Sequence, residues 1–316
     1  RLECVGWLSK GCIRLTGDDE ALFYRVLNVA VRTLRRAPPH ERLRSCTIVY
    51  LHRMIDCLGK GTFGIVPSVL AEMLRGAGGD AKVASDVVTL VNQTISRFKE
   101  DSVEVVAGAY EVVVTGVLTL LDANKLLLST QASQEARELR DLYKVWVQFV
   151  HGVAHLGLAR VCVDGANAAS LRPLVSSVIE GIGLIAEVSA AKSCVQVVSR
   201  LASLWASDSP AAAGGAVPGF RDFLFEAAGR AVLQACVAEW VNPKDAQGLQ
   251  LYGEFAACQR AFDKVSSEAW ASLLSARLLP AMGFDDRMVA EYVGAMRGDS
   301  EKAFRDVLIR HMSMVR

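Results

Sequence analysis

Residues 76–98 decide the fold, and they read GAGGDAKVASDVVTLVNQTISRF. The glycines at the start end any preceding helix, and Asp80 occupies the position of a helix N-cap. Apolar side chains then recur at intervals of three and four residues, at Val83, Val87, Val91, Ile95 and Phe98. This spacing predicts an amphipathic helix whose apolar face must be covered by neighbouring helices.

Similar apolar stretches of helical length follow one another from about Asp18 to the end of the chain. The predicted helices cover about 18–36, 42–58, 65–75, 80–98, 102–121, 133–156, 168–187, 190–206 and 220–240, with another after Asn242-Pro243 and three more that open at 266–268, 285–286 and 299–301. The Asn-Pro pair is read as an N-cap followed by proline in the first helical position. The valine-rich stretch 102–121 also has strand propensity, which leaves its assignment open.

Successive helix pairs recur at about 40 residues, which is the period of HEAT and armadillo arrays. We therefore expect an all-α fold, a HEAT-repeat α-solenoid of antiparallel helix pairs stacked into a superhelix. Residues 1–316 are expected to form a single continuous array, although the length would also suit two compact domains. The small residues between 207 and 219 predict a flexible loop.

The distribution of charge along the chain bears on the partner. The chain has 35 Lys and Arg against 34 Asp and Glu, but residues 1–60 carry 11 basic and 6 acidic residues. A basic end indicates a polyanionic or acidic partner. The 8 cysteines form no CxxC motif and are expected to be reduced core residues of an intracellular protein.

Two features bear on processing and membranes. The chain begins at Arg1 rather than at methionine, so we expect a fragment or a processed product of a longer protein, and we expect no signal peptide within it. Residues 103–121 are almost wholly apolar, but they contain Glu104 and Glu111. A buried helix suits this composition better than a membrane span, so no membrane insertion is expected.

Residues 59–66, GKGTFGIV, match the glycine-rich loop of protein kinases completely. Phosphoryl transfer also needs a lysine on the next strand and two further Asp-containing motifs. The residues that follow, from Pro67 to Glu72, have a helical pattern, and the chain contains neither of those motifs. We therefore interpret the glycines as a turn between helices that uses positive φ, and not as part of an active site.

His151 and His155 are one helical turn apart, a spacing that could hold a metal ion. A zinc protease would carry Glu beside the first histidine, but Gly152 stands there, and no third ligand follows. Ordinary helix histidines are the preferred interpretation. The sequence predicts no enzyme, no metal site and no cofactor.

Basic residues recur on one helix of most pairs. If these helices line the concave side of the array, their charges would follow a curved polyanion, because phosphate contacts require only positive charge at the right radius. The basic residues on these helices are Arg42, Arg44, Arg53, Lys82, Arg97, Lys99, Arg137, Arg140, Lys144, Lys192, Arg200, Lys244, Arg260 and Lys264.

Several short motifs, in order and at matching spacing, resemble one family over about residues 45–316. They are Leu51-His52-Arg53-Met54-Ile55, Val66-Pro67-Ser68, Leu90-Val91-Asn92-Gln93, Arg97-Phe98-Lys99, Leu139-Arg140, Leu204-Trp205, Gly219-Phe220, Asp245-Ala246-Gln247 and Leu278-Leu279-Pro280. Together they are similar to the C-terminal HEAT repeats of exportin-T, the tRNA-carrying karyopherin family of the importin-β superfamily. Members of that family are much longer than this chain.

The resemblance implies a nuclear export receptor that binds tRNA together with Ran-GTP, passes nuclear pore components, and shuttles between nucleus and cytoplasm. It implies recognition of tRNA shape through backbone contacts. The candidate contacts are Arg53, Arg97, Lys99, Arg140, Lys144, Lys192, Arg200 and Lys244, with His52 bracing its helix. The alternative is a HEAT-repeat scaffold or a karyopherin that binds protein cargo.

Overall fold

The computed structural model describes residues 2–9, 16–37, 40–130, 133–206 and 217–315. Across these ranges the regular structure is helical, and they contain no strand. The all-α prediction is confirmed, and the valine-rich stretch is a helix. The predicted flexible loop at 207–219 lies outside the described residues, except for its last three positions.

The described chain divides into two compact units, with the boundary after Ser170. The first unit contains α1 (Leu2–Leu8), α2 (Gly17–Arg36), α3 (Glu41–Leu58), α4 (Val66–Gly76), α5 (Ala81–Phe98), α6 (Val103–Ala123), α7 (Lys125–Leu128) and α8 (Gln134–His155). Helix α9 (Ala168–Leu184) contains the boundary. The second unit continues with α10 (Val188–Trp205), α11 (Phe220–Cys236), α12 (Ala246–Val265), α13 (Ser267–Leu273), α14 (Asp286–Arg297) and α15 (Glu301–Val315).

Local sequence signals set the starts of several helices. The Thr16 hydroxyl accepts a hydrogen bond from the Asp19 amide, and the Asp19 carboxylate accepts one from the Thr16 amide, which forms a capping box. Asp80 accepts hydrogen bonds from two amides in the first turn of α5. Ser133 accepts one from the Ala136 amide at the start of α8. Each cap satisfies donors that the first helical turn leaves free.

In the first unit the helices form two packed rows. Helices α2, α4 and α6 contact one another in order, and α1, α3, α5 and α8 do the same beside them. Contacts of α2 with α3, α4 with α5, and α6 with α8 join the rows as helix pairs. The core between them contains Leu51, Met54, Val87, Val114 and Trp146, each at most 1% exposed. This pairing agrees with the HEAT-type class predicted from the sequence.

The second unit repeats this arrangement. Helices α10, α12 and α15 form one row, with α11, α13 and α14 packed on α12. Aromatic rings fill its core: Phe225, Phe262 and Trp270 lie with their ring centroids between 5.0 and 5.4 Å apart. That all of residues 1–316 form one continuous array stays a prediction.

One local prediction about the second unit was wrong. Asn242-Pro243 does not start a helix, because the Asn242 side-chain oxygen accepts from the Lys244 amide in a short turn. Helix α12 begins later, with Asp245 as its N-cap, 2.6 Å from the Gly248 amide. The chain after α13 also forms a π-helical segment, Leu274–Leu278, which the sequence did not indicate.

Candidate nucleic-acid interface

In the first unit, the predicted phosphate contacts lie on one row of helices. Arg53 is on α3, Arg97 near the end of α5, and Arg140 and Lys144 are one turn apart on α8. Lys99 follows α5 directly as its C-cap residue. Because α3 contacts α5 and α5 contacts α8, one row of helices carries these side chains.

Arg97 is engaged by the neighbouring helix. Its Nη1 donates to the Asp56 carboxylate at 2.7 Å and its Nη2 donates to the Asp56 carbonyl at 2.8 Å. The Gln93 amide donates to the same carboxylate at 3.2 Å and also contacts the imidazole of His52. These contacts join α3 to α5, so His52 braces its helix as expected. A ligand phosphate would have to compete with Asp56 for Arg97.

Arg140 is also engaged within the protein. Its guanidinium donates to the carbonyl of Leu128 at 3.3 Å and to the carbonyl of Thr130, and so holds the segment that leads into α8. Lys144, one turn further along α8, is exposed. The position of Arg140 therefore serves the local fold, whereas Lys144 faces solvent.

Arg53 and Lys99 differ from these two arginines. Within the described ranges, neither side chain forms a hydrogen bond or an ion pair. Arg53 is half-buried and Lys99 is exposed. Lys99 has φ of 49°, the left-handed region that L residues avoid. Unlike Arg97, these two have no carboxylate partner among the residues that the structure describes.

The second unit holds the remaining candidates. The Lys192 ammonium lies 3.5 Å from the Glu254 carboxylate on α12, which also accepts from the Gln196 amide at 2.8 Å. Arg200 is half-buried on the same helix α10. Lys244 is exposed in the turn before α12. Lys192 and Arg200 therefore share a helix, and Lys244 lies on a separate turn.

The second unit also contains a cationic cluster that the sequence did not indicate. Arg230 and Arg277 both contact the Glu226 carboxylate, at 2.5 and 3.0 Å. Arg277 is 51 residues from Glu226 in the chain, so helical spacing alone could not have found this contact. A chain-local signal exists only for Arg230, which lies one turn after Glu226.

Comparisons with known proteins identify the family. The exportin-T family profile matches residues 15–316. The chain belongs to the exportin-T family. It is 26% identical over 298 residues to Exportin-T of Arabidopsis thaliana, covering 93% of the chain and 30% of that protein. Exportin-T of Homo sapiens is 24% identical over 267 residues, covering 84% of the chain and 26% of that protein. Exportin-T of Dictyostelium discoideum is 23% identical over 319 residues, covering 97% of the chain and 29% of that protein.

The chain spans about three tenths of the length of these exportin-T relatives. In this exportin-T segment, residues 59–66 match the glycine-rich loop of kinases in sequence, but they form a 3-10 turn, Gly59–Thr62, that leads into α4. Gly59 has φ of 57°, as the interpretation as a turn requires, whereas Gly61 and Gly64 do not have positive φ. The glycines therefore connect two helices and form no β-hairpin over a nucleotide.

The histidine pair of this exportin-T segment is stacked, with ring centroids 4.0 Å apart. Burial, and then the charge of His155, lower the pKa of His151. Burial and the neighbouring imidazole disfavour the protonated form of His151, and its pKa is depressed for that reason. No group of three or more His, Cys, Asp or Glu side chains in the described ranges is placed to hold a metal ion.

One stretch of the described chain, Ala81–Ala123, contains a window long and apolar enough to cross a membrane by length and composition. It covers α5 and α6. Helix α6 packs against α4 and α5, and it buries Val106, Tyr110, Val114 and Val117 among them. A core helix of this kind has the same composition as a span. That the chain does not insert into membranes stays a prediction.

Proposed function

We propose that this chain is part of a nuclear export receptor that binds tRNA cooperatively with Ran-GTP and shuttles between nucleus and cytoplasm through contacts with nuclear pore components. The observation that carries the proposal is the match of the exportin-T family over residues 15–316. The chain acts as a binding surface and not as an enzyme. Its part in the receptor is to supply cations for the phosphate backbone of tRNA.

The contacts of each cation rank the candidates. An arginine or lysine already paired with a carboxylate must exchange that partner for a phosphate. Breaking the existing ion pair offsets part of the free energy of binding the phosphate. Arg97 and Lys192 fall in this group, because Asp56 and Glu254 hold them. Arg53 and Lys99 have no such partner among the described residues. Each of them is therefore expected to contribute more to the affinity for phosphate than Arg97 does.

Cooperativity with Ran-GTP belongs to the complete receptor. If Ran-GTP and tRNA favour the same arrangement of the helical array, each raises the affinity of the other by the same factor. This segment would then provide part of the tRNA surface, and the arrangement would depend on the rest of the receptor.

Filter binding of tRNA to the full-length protein, with and without Ran-GTP and at several salt concentrations, tests the proposal. Steep loss of affinity with salt is expected, because each phosphate contact releases counterions. Lys99→Gln and Arg53→Gln should each lower the magnitude of the salt slope by about 0.7 to 0.9. Arg97→Gln is the matched variant, with a smaller expected change in slope and a lower Tm.

Absence of tRNA binding at low salt, in the presence of Ran-GTP, would exclude the proposal. Salt-insensitive binding of a protein cargo would then support the protein-binding scaffold. Equal changes in the salt slope for Arg97→Gln and Lys99→Gln would leave the proposed receptor function standing but would overturn the ranking of its contacts.

A further inference from the structure

A cavity of about 470 Å³ lies in the second unit, between α11 and the segment that follows α13. The π-helical segment Leu274–Leu278 forms one wall. Single π turns within helices are rare and occur frequently at functional sites. Beside the cavity α11 is in tight contact with both elements, since a Cβ atom on Gly229 would lie 2.6 Å from the Trp270 ring of α13 and 3.0 Å from the Leu278 side chain of the π segment. The position of the π segment against α11 is therefore closely fixed.

Two arginines share one carboxylate in this cavity. Arg277 makes a bidentate contact with Glu226, at 3.0 and 3.1 Å. Arg230 contacts the same carboxylate at 2.5 Å from the neighbouring turn of α11. No other charged residue lines the cavity in the described part of the chain. Two guanidinium groups beside one carboxylate leave a net positive charge and N–H donors that Glu226 does not use.

Stability alone does not account for this cluster. The side chains of Arg230 and Arg277 are 58% and 62% exposed, and ion pairs at such exposure contribute little to folding. A second arginine on an already paired carboxylate adds even less. The exposed guanidinium groups remain accessible to an incoming anion.

The rest of the lining indicates which anion fits. Ala281, which is exposed, and Met282, which is half-buried, lie next to the arginines, whereas the lining side chains of Leu233 and Leu278 are buried. The lining contains no aromatic ring. A nucleic-acid strand would find no ring on which to stack a base and only two neighbouring cations to follow. An acidic peptide brings a carboxylate for the arginines and aliphatic side chains for Ala281 and Met282.

We propose that this cavity binds an acidic, leucine-rich peptide segment of a partner protein, with a carboxylate held between Arg230 and Arg277. The aliphatic side chains of the peptide would cover Ala281 and Met282. Helices α11 and α13 lie outside the row of α10, α12 and α15, so this site does not use the helix that carries Lys192 and Arg200. The inference is independent of tRNA binding.

Fluorescence anisotropy of the full chain with a labelled peptide of alternating glutamate and leucine tests the proposal. A peptide with glutamine in place of each glutamate is the matched probe. Arg277→Gln and Arg230→Gln should each weaken binding by about tenfold, because each removes a charge-assisted contact. Glu226→Gln should strengthen binding several-fold, because it removes the internal carboxylate that competes with the peptide.

Arg287→Gln, an exposed arginine on α14 outside the cavity, is the control and should leave binding unchanged. Weaker peptide binding by Glu226→Gln, at an unchanged Tm, would overturn the proposal, as would equal binding of the glutamine peptide. A labelled single-stranded RNA that binds with the same dependence on Arg277, where the peptide does not, would assign the cavity to nucleic acid instead. Glu226→Gln keeps the side-chain shape, so its result stands even if the arginine variants fold poorly.

Discussion

The turns after α3 and after α5 have almost the same backbone but carry different residues. Gly59 has φ of 57° and ψ of −132°, and Lys99 has φ of 49° and ψ of −125°. Each residue opens a 3-10 turn, and in each turn a buried hydroxyl donates back to it: Thr62 to the Gly59 carbonyl at 2.9 Å and Ser102 to the Lys99 carbonyl at 2.6 Å. The structure of the helix pair thus repeats even where its sequence does not.

Contacts between the two turns explain why lysine adopts a conformation that suits glycine. The Lys60 ammonium lies 2.8 Å from the Asp101 carboxylate, and the rings of Phe63 and Phe98 meet edge to face at 5.0 Å. Stacking of one helix pair on the next fixes both turns. Lys99 therefore holds an unfavourable φ that its surroundings impose, and residues kept in such conformations are frequent at functional sites.

The largest expected effect comes from placing lysine in the first turn as well. Gly59→Lys should lower the free energy of unfolding by about 1 to 3 kcal/mol, because a Cβ is strained at this φ. Urea denaturation measures the change. Gly64→Ala is the matched control, since Gly64 has no positive φ and a Cβ there would meet no atom within 4 Å. Equal stability of Gly59→Lys and the unmodified chain would show that the two turns are not equivalent.

The reverse exchange should separate stability from binding. Lys99→Gly relieves the strained φ and should raise the free energy of unfolding by about 1 kcal/mol. The greater freedom of glycine in the unfolded chain offsets part of the gain in stability and is included in this figure. The same variant removes a cation, so its affinity for tRNA should fall as in Lys99→Gln. Denaturation and filter binding on one preparation measure both.

A parallel rise in stability and affinity would contradict the role of Lys99 as a phosphate contact. A fall in stability would contradict the assignment of strain. Lys99→Gln retains the strain and loses the charge, so it separates the two effects.

The two hydroxyls should have matching effects of intermediate size. Thr62→Val and Ser102→Ala each remove a hydrogen bond to the carbonyl of the residue that opens the turn. Each should lower the free energy of unfolding by about 1 kcal/mol. Both residues are completely buried, so water cannot replace the lost donor. Differential scanning calorimetry of the two variants provides the comparison. A difference between them above about 1 kcal/mol would show that one turn depends on its hydroxyl and the other on stacking.

The sequence predicted the parts of this arrangement that neighbouring residues determine. The start of α5 at Asp80, the start of α8 at Ser133 and the glycine turn after α3 follow from caps and breakers read locally. The positive φ of Lys99 could not be predicted, since lysine carries no signal for it. Sequence similarity gives the family, but not the conformation of a single turn.

Contacts over long separations in the chain were also hidden from the sequence. Arg97 and Asp56 are 41 residues apart, and only the stacking of α5 on α3 brings them together. The cations were recognisable as a class, but which of them a carboxylate would hold depended on that packing. The cluster around Glu226 was missed for the same reason, because the π segment that places Arg277 has no periodic pattern.

The smallest expected effect concerns the ion pair that joins the two turns. Lys60 and Asp101 are 59% and 62% exposed, so their attraction is screened by solvent and should contribute at most about 0.5 kcal/mol. A double-mutant cycle with Lys60→Gln and Asp101→Asn, run at low and high salt, measures the coupling. A coupling that vanishes at high salt fits a surface pair, and the stacked Phe63 and Phe98 rings then hold the turns together. A coupling above 1 kcal/mol that persists in salt would instead make the ion pair the reason why Lys99 keeps its strained φ, because Asp101 lies in the same 3-10 turn.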